Sequence, residues 1–299
     1  MRILLTGKNG QLGFELTRTL APLGDIFAVD VAECNLADEQ SIRRLVHDLQ
    51  PAVIVNAAAY TAVDKAESES AVARAINAEA PGILGSEAAK IGALLIHYST
   101  DYIFDGNKPE PYRENDQPNP QNTYGSTKFA GELALASANP HHLILRTSWV
   151  VGVHGSNFAK TVLRLAAERD TLSIVADQIG APTSASLLAD VSAHLVRQYQ
   201  REGSKGYPFG TYHVTAAGET SWYDYARFVL TRAIDSGKNI KVQPADIKPI
   251  STREYLAAAK RPANSRLDTT LFRETFGLLL PNWQLGLDHI LQQVLHNKS

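Results

Sequence analysis

Tyr124 and Lys128 lie four residues apart, at the start of a segment whose pattern predicts a helix. That spacing places both side chains on one face of the helix. A tyrosine phenol has a pKa near 10, and a nearby ammonium lowers that pKa because it favours the phenolate. The pair could therefore give and take a proton at neutral pH. Most such pairs are ordinary surface neighbours, so this one gains meaning only from the residues around it.

A turn with three glycines could hold a pyrophosphate. Gly7, Gly10 and Gly13 lie between a predicted strand, residues 2–6, and a predicted helix, residues 11–20. Glycines permit a tight turn and let the backbone approach a phosphate, and the N-terminus of a helix attracts negative charge. The spacing differs from the Gly-x-Gly-x-x-Gly form, and a simple strand-to-helix turn would also explain it.

Asp30 is a second residue that favours dinucleotide binding. It ends the second predicted strand, residues 26–30, 17 positions after Gly13. An acid at that place accepts hydrogen bonds from the adenine ribose. The same carboxylate would repel a 2′-phosphate, and no arginine follows it to hold one. The sequence therefore predicts a nicotinamide dinucleotide, with NADH at least as acceptable as NADPH.

Two other strand ends fall at the same edge of the predicted sheet. Small residues, Ala57 to Ala59, follow the third strand and could pass close to an adenine or ribose, or could simply pack a strand against a helix. Thr100 follows the fourth strand. Ligands of parallel sheets bind beyond the carboxyl ends of the strands, so its hydroxyl should lie beside the nicotinamide. A set of Thr100, Tyr124 and Lys128 beside a dinucleotide turn is more specific than its parts.

The elements that position these residues alternate along the first half of the chain. Continuous apolar strands separated by helices favour a Rossmann-type, doubly wound parallel sheet of the α/β class. We expect a dinucleotide-binding domain over residues 1–150. A smaller mixed α/β substrate domain is expected over 151–299, with segments that return to the sheet. The predicted strands are 2–6, 26–30, 52–56, 93–99 and 142–147, the predicted helices are 11–20, 39–49 and 71–90, and a proline-rich loop is predicted over 106–122.

Composition excludes several classes of function. The net charge is −2 and charged residues are dispersed, which disfavours a nucleic acid polymer or a membrane surface as partner. Cys34 is the only cysteine, so no disulfide can form within the chain. No apolar run approaches the roughly 20 residues of a membrane span. We expect a cytoplasmic enzyme.

Longer motifs carry a resemblance that covers almost the whole chain. The sequence resembles the extended short-chain dehydrogenases/reductases and, among them, the dTDP-4-dehydrorhamnose reductase family. The alanine-rich run that ends in Ala-Val-Asp-Lys-Ala-Glu and the Asp-Gln-x-Gly-x-Pro-Thr run are far more specific than the glycine turn. The segments that resemble the family are 4–13, 53–67, 97–104, 124–128, 145–149, 157–160, 177–183 and 261–267.

The resemblance implies reduction of the C4 ketone of dTDP-4-dehydro-6-deoxy-L-mannose to dTDP-L-rhamnose, with hydride from NADPH or NADH. It implies that Tyr124 donates a proton to the developing alkoxide, that Thr100 hydrogen-bonds the same oxygen, and that Lys128 holds the nicotinamide ribose and lowers the tyrosine pKa. These three residues are the predicted catalytic set. The product would serve O-antigen and lipopolysaccharide synthesis.

The resemblance also implies binding residues. Substrate contacts are expected from Thr100, Asp101, Trp149 and Asn157, and less firmly from the turn at 181–183. Arg261 could bind the diphosphate or form a structural ion pair. Dinucleotide contacts are expected from Gly7, Asn9, Gly10, Gln11, Leu12, Gly13, Asp30, Asn35, Leu36, Ala57, Ala58, Ala59, Tyr60, Thr61, Tyr124 and Lys128.

A metal is weakly indicated. Some family members hold Mg²⁺ between subunits with three glutamates, and here Glu15 matches one, whereas Ser186 and Gln293 stand in place of the others. One carboxylate makes a poor magnesium site, so we expect no required metal and keep a homodimer open. The histidines show no zinc spacing.

Three other functions are alternatives to the reductase: two enzymatic activities and one non-catalytic role. A 4,6-dehydratase would carry a glutamate after Thr100-Asp101, where this chain has Tyr102. A nucleotide-sugar 4-epimerase is harder to exclude. A non-catalytic dinucleotide-binding regulatory subunit would have no need of the Thr100, Tyr124 and Lys128 set.

Overall fold

A computed structural model describes residues 1–296. Its strands are β1 (Arg2–Thr6), β2 (Asp25–Val29), β3 (Val53–Asn56), β4 (Leu94–Thr100), β5 (His142–Thr147), β6 (Val150–Val151), β7 (Ser173–Val175), β8 (Ile179–Gly180), β9 (Thr183–Ser184), β10 (Gly210–His213), β11 (Thr220–Ser221) and β12 (Lys248–Ile250). Its α-helices are α1 (Gln11–Leu20), α2 (Glu39–Leu49), α3 (Val63–Ala66), α4 (Ser70–Arg74), α5 (Ala80–Ile91), α6 (Thr123–Ala138), α7 (Phe158–Glu168), α8 (Ala185–Glu202), α9 (Trp222–Asp235), α10 (Thr270–Phe276) and α11 (Trp283–His296).

A parallel sheet of six strands forms the centre, in the order β10-β5-β4-β3-β1-β2. Both faces are covered, which is why its strands are apolar without alternation. Ile3 and Leu5 of β1 pack on one side with residues of α1 and α8, whereas Leu4 packs on the other with residues of α2 and α5. The predicted fold class, a doubly wound α/β sheet, is confirmed.

The second half of the chain forms its own core and also returns to the sheet. Apolar residues of α7, α9 and α11 pack together, among them Val162, Tyr225 and Leu291. β10 pairs in parallel with β5 at the edge of the sheet. The division at residue 150 stays a prediction.

The helix predicted over 71–90 is interrupted. A π-helical turn, Ala75–Glu79, separates α4 from α5. Asn77 in this turn accepts a hydrogen bond from the backbone N–H of Tyr60 at 2.9 Å and donates to the Tyr60 carbonyl at 3.0 Å. Extra turns of this kind often occur at functional sites. Here the turn fixes the loop after β3, which apolar periodicity cannot foretell.

Candidate active site

The order of strands reverses between β1 and β3, and ligands of doubly wound sheets bind at such a point. A cavity of about 480 Å³ opens there. It is lined by the glycine turn, the loop after β3, Tyr124 and Lys128. A second cavity of about 380 Å³ is lined by Thr100, Asp101, Tyr124, Trp149 and Asn157. It shares several lining residues with the first cavity, among them Gln11 and Tyr124. The structure thus brings the predicted dinucleotide residues and the predicted substrate residues to adjoining cavities.

The glycine turn is closed by contacts that leave no room for side chains. Gly7 has a φ of +76°, and a Cβ there would lie 2.8 Å from the Cα of Ala58. A Cβ on Gly13 would lie 1.9 Å from the carbonyl oxygen of Gly7. Ala58 therefore packs tightly against the glycine turn and also lines the cavity, so its two predicted roles are compatible, and its contact with a dinucleotide stays a prediction.

We expect Gly13→Ala to destabilise the fold by about 3 kcal/mol, because the new methyl must push the Gly7 carbonyl out of the turn. Dinucleotide binding should weaken by about tenfold or more, which thermal unfolding and a titration of NADH fluorescence would measure. Gly92→Ala is the matched control. Its φ is +67°, but a Cβ there would meet no heavy atom of residues 1–296 within 4 Å, so it should cost about 1 kcal/mol and leave binding unchanged. Equal effects of the two variants would contradict the proposed clash.

Asp30 directly follows β2 and lines one end of the first cavity, the end predicted to hold the adenine ribose. Its carboxylate accepts hydrogen bonds from the backbone N–H groups of Asn9 at 3.0 Å and Val31 at 2.8 Å. Glu33, which the sequence analysis missed, lies beside it, accepts from the Asp30 backbone N–H, and pairs with Lys8 at 2.6 Å. Hydrogen bonding to Lys8 lowers the pKa of Glu33. Two carboxylates therefore stand at this end, and the nearby lysine is already paired.

A small cavity of about 180 Å³ continues from this end. It is lined by Asp30, by Asn35 and Leu36 as the resemblance implies, and by Ile76, which the sequence analysis missed. Ile76 comes from the π-helical turn, so no strand-end pattern could have indicated it.

Tyr124 and Thr100 meet where the two cavities join. Burial raises the pKa of Tyr124 to about 12, and its hydrogen bond with the Thr100 hydroxyl acts against that rise. The expected lowering of this pKa by Lys128 is therefore wrong for the structure described. The reason is geometric, since Lys128 donates to the Tyr98 carbonyl at 2.6 Å and lies 3.1 Å from His97 Nε2.

Lys128 itself is almost completely buried, at 2% exposure. Burial lowers the pKa of Lys128 to about 8, and the charge of Glu132 one turn along α6 raises it in part. The ammonium form of Lys128 therefore predominates at neutral pH and is lost as the pH rises above about 8.

Asp101 has an incompletely used carboxylate. It is 3% exposed, and the Thr100 hydroxyl donates to its Oδ1 at 3.1 Å. Its Oδ2 has no hydrogen-bond partner within 3.5 Å among residues 1–296, although the nearby Ser265 side chain lowers the pKa of this carboxyl in part. Burial raises the pKa of Asp101 to about 6. A buried acceptor that lines a cavity is available to a hydroxyl of a ligand.

Trp149 forms part of an aromatic wall of the second cavity. Its φ is +48°, which is unusual for a bulky residue, and a Cβ on Gly180 would lie 2.7 Å from its ring. The ring stacks on Trp222 with centroids 3.6 Å apart. Phe158, Trp222 and Tyr225 complete this wall and were missed, because only tertiary packing brings them together.

Asn157 and Gln11 join the two halves of the chain. The Asn157 amide donates to Gln11 Oε1 at 3.0 Å, and its own oxygen caps α7 by accepting from the Lys160 N–H at 3.1 Å. Gln11 Oε1 also accepts from the Gly152 N–H at 2.8 Å. Both residues line the second cavity. Asn157 is therefore placed to hold the cavity together as well as to contact a ligand.

Arg261 forms the ion pair that the sequence analysis left as an alternative. Its Nη2 lies 2.7 Å from Asp64 Oδ2, and Asp64 also accepts from the Ala259 N–H at 3.0 Å. This pair ties α3 to the late segment 261–267, which resembles the family.

The residues matched to a magnesium site do not fit one. Glu15 lies 3.3 Å from Arg18, Ser186 bonds to Ser184, and Gln293 donates to the His289 carbonyl. One carboxylate beside a cation gives Mg²⁺ too few oxygen ligands. Residues 1–296 hold no cluster of three or more histidine, cysteine, aspartate or glutamate side chains suited to a metal. Within the same residues, no helix is both long and apolar enough to span a bilayer.

A family model and full-length relatives both match this chain. The family model described as the RmlD substrate binding domain matches residues 1–296. A dTDP-4-dehydrorhamnose reductase of Salmonella typhimurium is 47% identical over 298 residues, which cover 98% of each chain. A protein of the same name from Burkholderia thailandensis is 45% identical over 99% of each chain.

A solved structure extends the likeness to three dimensions. The dTDP-4-dehydrorhamnose reductase of Bacillus anthracis, in complex with NADP, superposes with a TM-score of 0.89 at 36% identity. The match covers 98% of this chain and 99% of that one.

Proposed function

The chain belongs to the family of the RmlD substrate binding domain, and we propose that it reduces dTDP-4-dehydro-6-deoxy-L-mannose to dTDP-L-rhamnose with NADH or NADPH. The observation that carries this function is that Tyr124 lines both cavities, with Lys128 in the wall of the first and Thr100 in the wall of the second. Near full-length relatives named dTDP-4-dehydrorhamnose reductase, one of them solved with NADP, support the reaction and the cofactor.

The glycine turn and Asp30 would hold the dinucleotide. The N-terminus of α1 favours the negative pyrophosphate, and the Asp30 carboxylate can accept from ribose hydroxyls. Lys128 would bind the second ribose. When bound, the reduced nicotinamide supplies a hydride.

Tyr124 would donate its hydroxyl proton to the C4 oxygen of the sugar. A pKa of about 12 keeps the phenol protonated at neutral pH, so the donor form is the resident one. When the sugar binds, the Thr100 hydroxyl would turn its single hydrogen from Asp101 Oδ1 to the same oxygen and stabilise the negative charge that develops there. The Asp101 carboxylate and the Trp149 wall would orient the sugar.

The decisive experiment mixes the purified protein with NADH and the 4-keto-6-deoxy-L-sugar nucleotide and identifies the product by NMR. We expect one NADH oxidised for each dTDP-L-rhamnose formed. Reduction of the ketone to both C4 epimers, together with interconversion of those two 4-hydroxy sugars by the protein with NAD⁺ and no net change in NADH, would indicate an epimerase, and dinucleotide binding with no product would indicate a regulatory subunit. Either outcome would overturn the proposal.

The two carboxylates at the adenine end predict the cofactor preference. We expect NADH to bind at least as tightly as NADPH, because the charges of Asp30 and Glu33 repel a 2′-phosphate. Asp30→Ser should shift the ratio of the two dissociation constants towards NADPH by about tenfold. Asp48→Ser removes the same charge from an exposed surface site and should leave the ratio unchanged. A wild-type preference for NADPH would contradict this reading.

Three features stay predictions from the sequence. They are the location in the cytoplasm, assembly as a homodimer, and the use of the product in O-antigen or lipopolysaccharide.

A further inference from the structure

A chain of buried polar groups runs from Lys128 to the glycine turn. Nζ of Lys128 lies 3.1 Å from Nε2 of His97, and Nδ1 of His97 lies 3.0 Å from the Asn56 amide. The Thr6 hydroxyl in turn donates to Asn56 Oδ1 at 2.6 Å, so the amide nitrogen of Asn56 is the atom that faces His97. Each of the four side chains is at most 2% exposed. Because Thr6 directly precedes Gly7, these hydrogen-bonded side chains connect Lys128 to the glycine turn, and both line the first cavity.

We propose that His97 is a positioning residue for Lys128: its Nε2 accepts one ammonium proton and the Tyr98 carbonyl accepts a second, so that the third is directed to a ligand in the first cavity. This inference rests on the proposed function, in which Lys128 binds the dinucleotide. The Tyr98 carbonyl lies 2.6 Å from Nζ, so both acceptors are within hydrogen-bond distance.

The charge of Lys128 determines which group donates and which accepts in each hydrogen bond from Lys128 to Thr6. An ammonium has three donors and no acceptor, so a protonated Nε2 would face another donor. His97 must therefore carry its proton on Nδ1 and donate to the oxygen of the Asn56 amide, whose NH₂ then faces Thr6. This arrangement is the Asn56 amide turned by 180° from the one in which its nitrogen faces His97. The oxygen and nitrogen of an amide have nearly the same shape, so the turned amide fits the same space. Burial and the charge of Lys128 both lower the pKa of His97, in keeping with a neutral ring.

Removing Nε2 of His97 should change the pKa of Lys128 in a definite direction. Nε2 accepts a stronger, charge-assisted bond from the ammonium than from the neutral amine, so it favours the ammonium, and its loss should lower the pKa of Lys128. Glu132 also favours the ammonium, but it is paired with Arg146 and stays in place in a His97 variant. The titratable or charged groups on the elements packed around Lys128 are His97 and Tyr98 of β4, Asp101 and Tyr102 after it, Tyr124 and Glu132 of α6, His142 and Arg146 of β5, Glu87 and Lys90 of α5, and Asp64, Lys65, Arg74 and Glu79 of α3, α4 and the π-helical turn. Tyr98 bonds to Ser192, Glu87 pairs with Lys90 and Arg43, Asp64 pairs with Arg261, and Arg74 pairs with Glu79.

The test compares His97→Met with His97→Gln. The two side chains have similar volume, but only glutamine offers an oxygen to Lys128. Two profiles are measured from pH 6 to 10: kcat, and the dissociation constant of NADH from nicotinamide fluorescence. We expect the methionine variant to lose turnover about tenfold and its alkaline limb to move down by about one pH unit, whereas glutamine restores both. An unchanged profile for a folded methionine variant, or equal shifts for both variants, would overturn the proposal.

A second variant keeps the test open if the methionine protein does not fold. In Asn56→Asp the carboxylate accepts from Nδ1–H and holds Nε2 as an acceptor, so the alkaline limb should stay or move to higher pH. A downward shift would overturn the proposal. The NADH titration needs no sugar substrate. If the wild-type protein turned over no sugar, the proposed reaction would fail, while the shift in NADH binding would still decide the role of His97.

Discussion

Replacement of Tyr124 by phenylalanine should lower kcat about a thousandfold, because the variant lacks the group that donates a proton to the C4 oxygen. The ring stays, so its edge-on contact with Tyr102, with centroids 5.5 Å apart, should persist. The dissociation constant of NADH should therefore hardly change. Steady-state oxidation of NADH and a separate binding titration would measure the two effects.

Tyr207→Phe is the matched control for Tyr124→Phe. It also removes a buried hydroxyl, one that donates to the Leu195 carbonyl at 2.9 Å within the apolar core. A small loss of stability with normal kcat is expected there. Wild-type turnover by Tyr124→Phe would show that another group donates the proton.

Breaking the ion pair between Glu132 and Arg146 should cost about 3–5 kcal/mol of unfolding free energy, because it leaves a lone charge in the interior. Arg146 Nη2 lies 2.7 Å from Glu132 Oε2, and the side chains are 6% and 4% exposed. A second bond joins Arg146 Nε to Glu132 Oε1 at 3.0 Å. The pair ties α6, which carries Tyr124 and Lys128, to β5. Urea unfolding of Arg146→Met at pH 7 would measure the loss.

A double variant and a surface pair make this prediction sharper. Arg146→Met with Glu132→Leu should recover most of the lost stability, because well-packed apolar side chains can replace a buried ion pair. Arg164→Ala breaks an exposed pair with Glu168, at 2.8 Å, and should cost at most about 0.5 kcal/mol. A loss below about 1 kcal/mol for Arg146→Met would show that Glu132 escapes burial or takes up a proton at little cost.

Local patterns predicted the elements that build the sheet. The bounds predicted for β1, β5, α1 and α2 are those observed, and β2 and β4 are displaced by one residue. Glycine spacing placed the turn, because a strand followed directly by a helix needs close backbone contacts at Gly7 and Gly13. Periodicity failed between residues 71 and 90, where the bonds of Asn77 to the Tyr60 backbone accompany a π-helical turn.

The sequence by itself determined the glycine turn, the acid at Asp30, and the spacing of Tyr124 and Lys128, since each depends on residues close together along the chain. Only the tertiary structure decided how these groups are charged and held. The pKa of Tyr124 is raised because burial outweighs its contact with Thr100, and Lys128 turns to His97 and the Tyr98 carbonyl. Desolvation and hydrogen bonding depend on every atom that surrounds a group, whichever part of the chain supplies it.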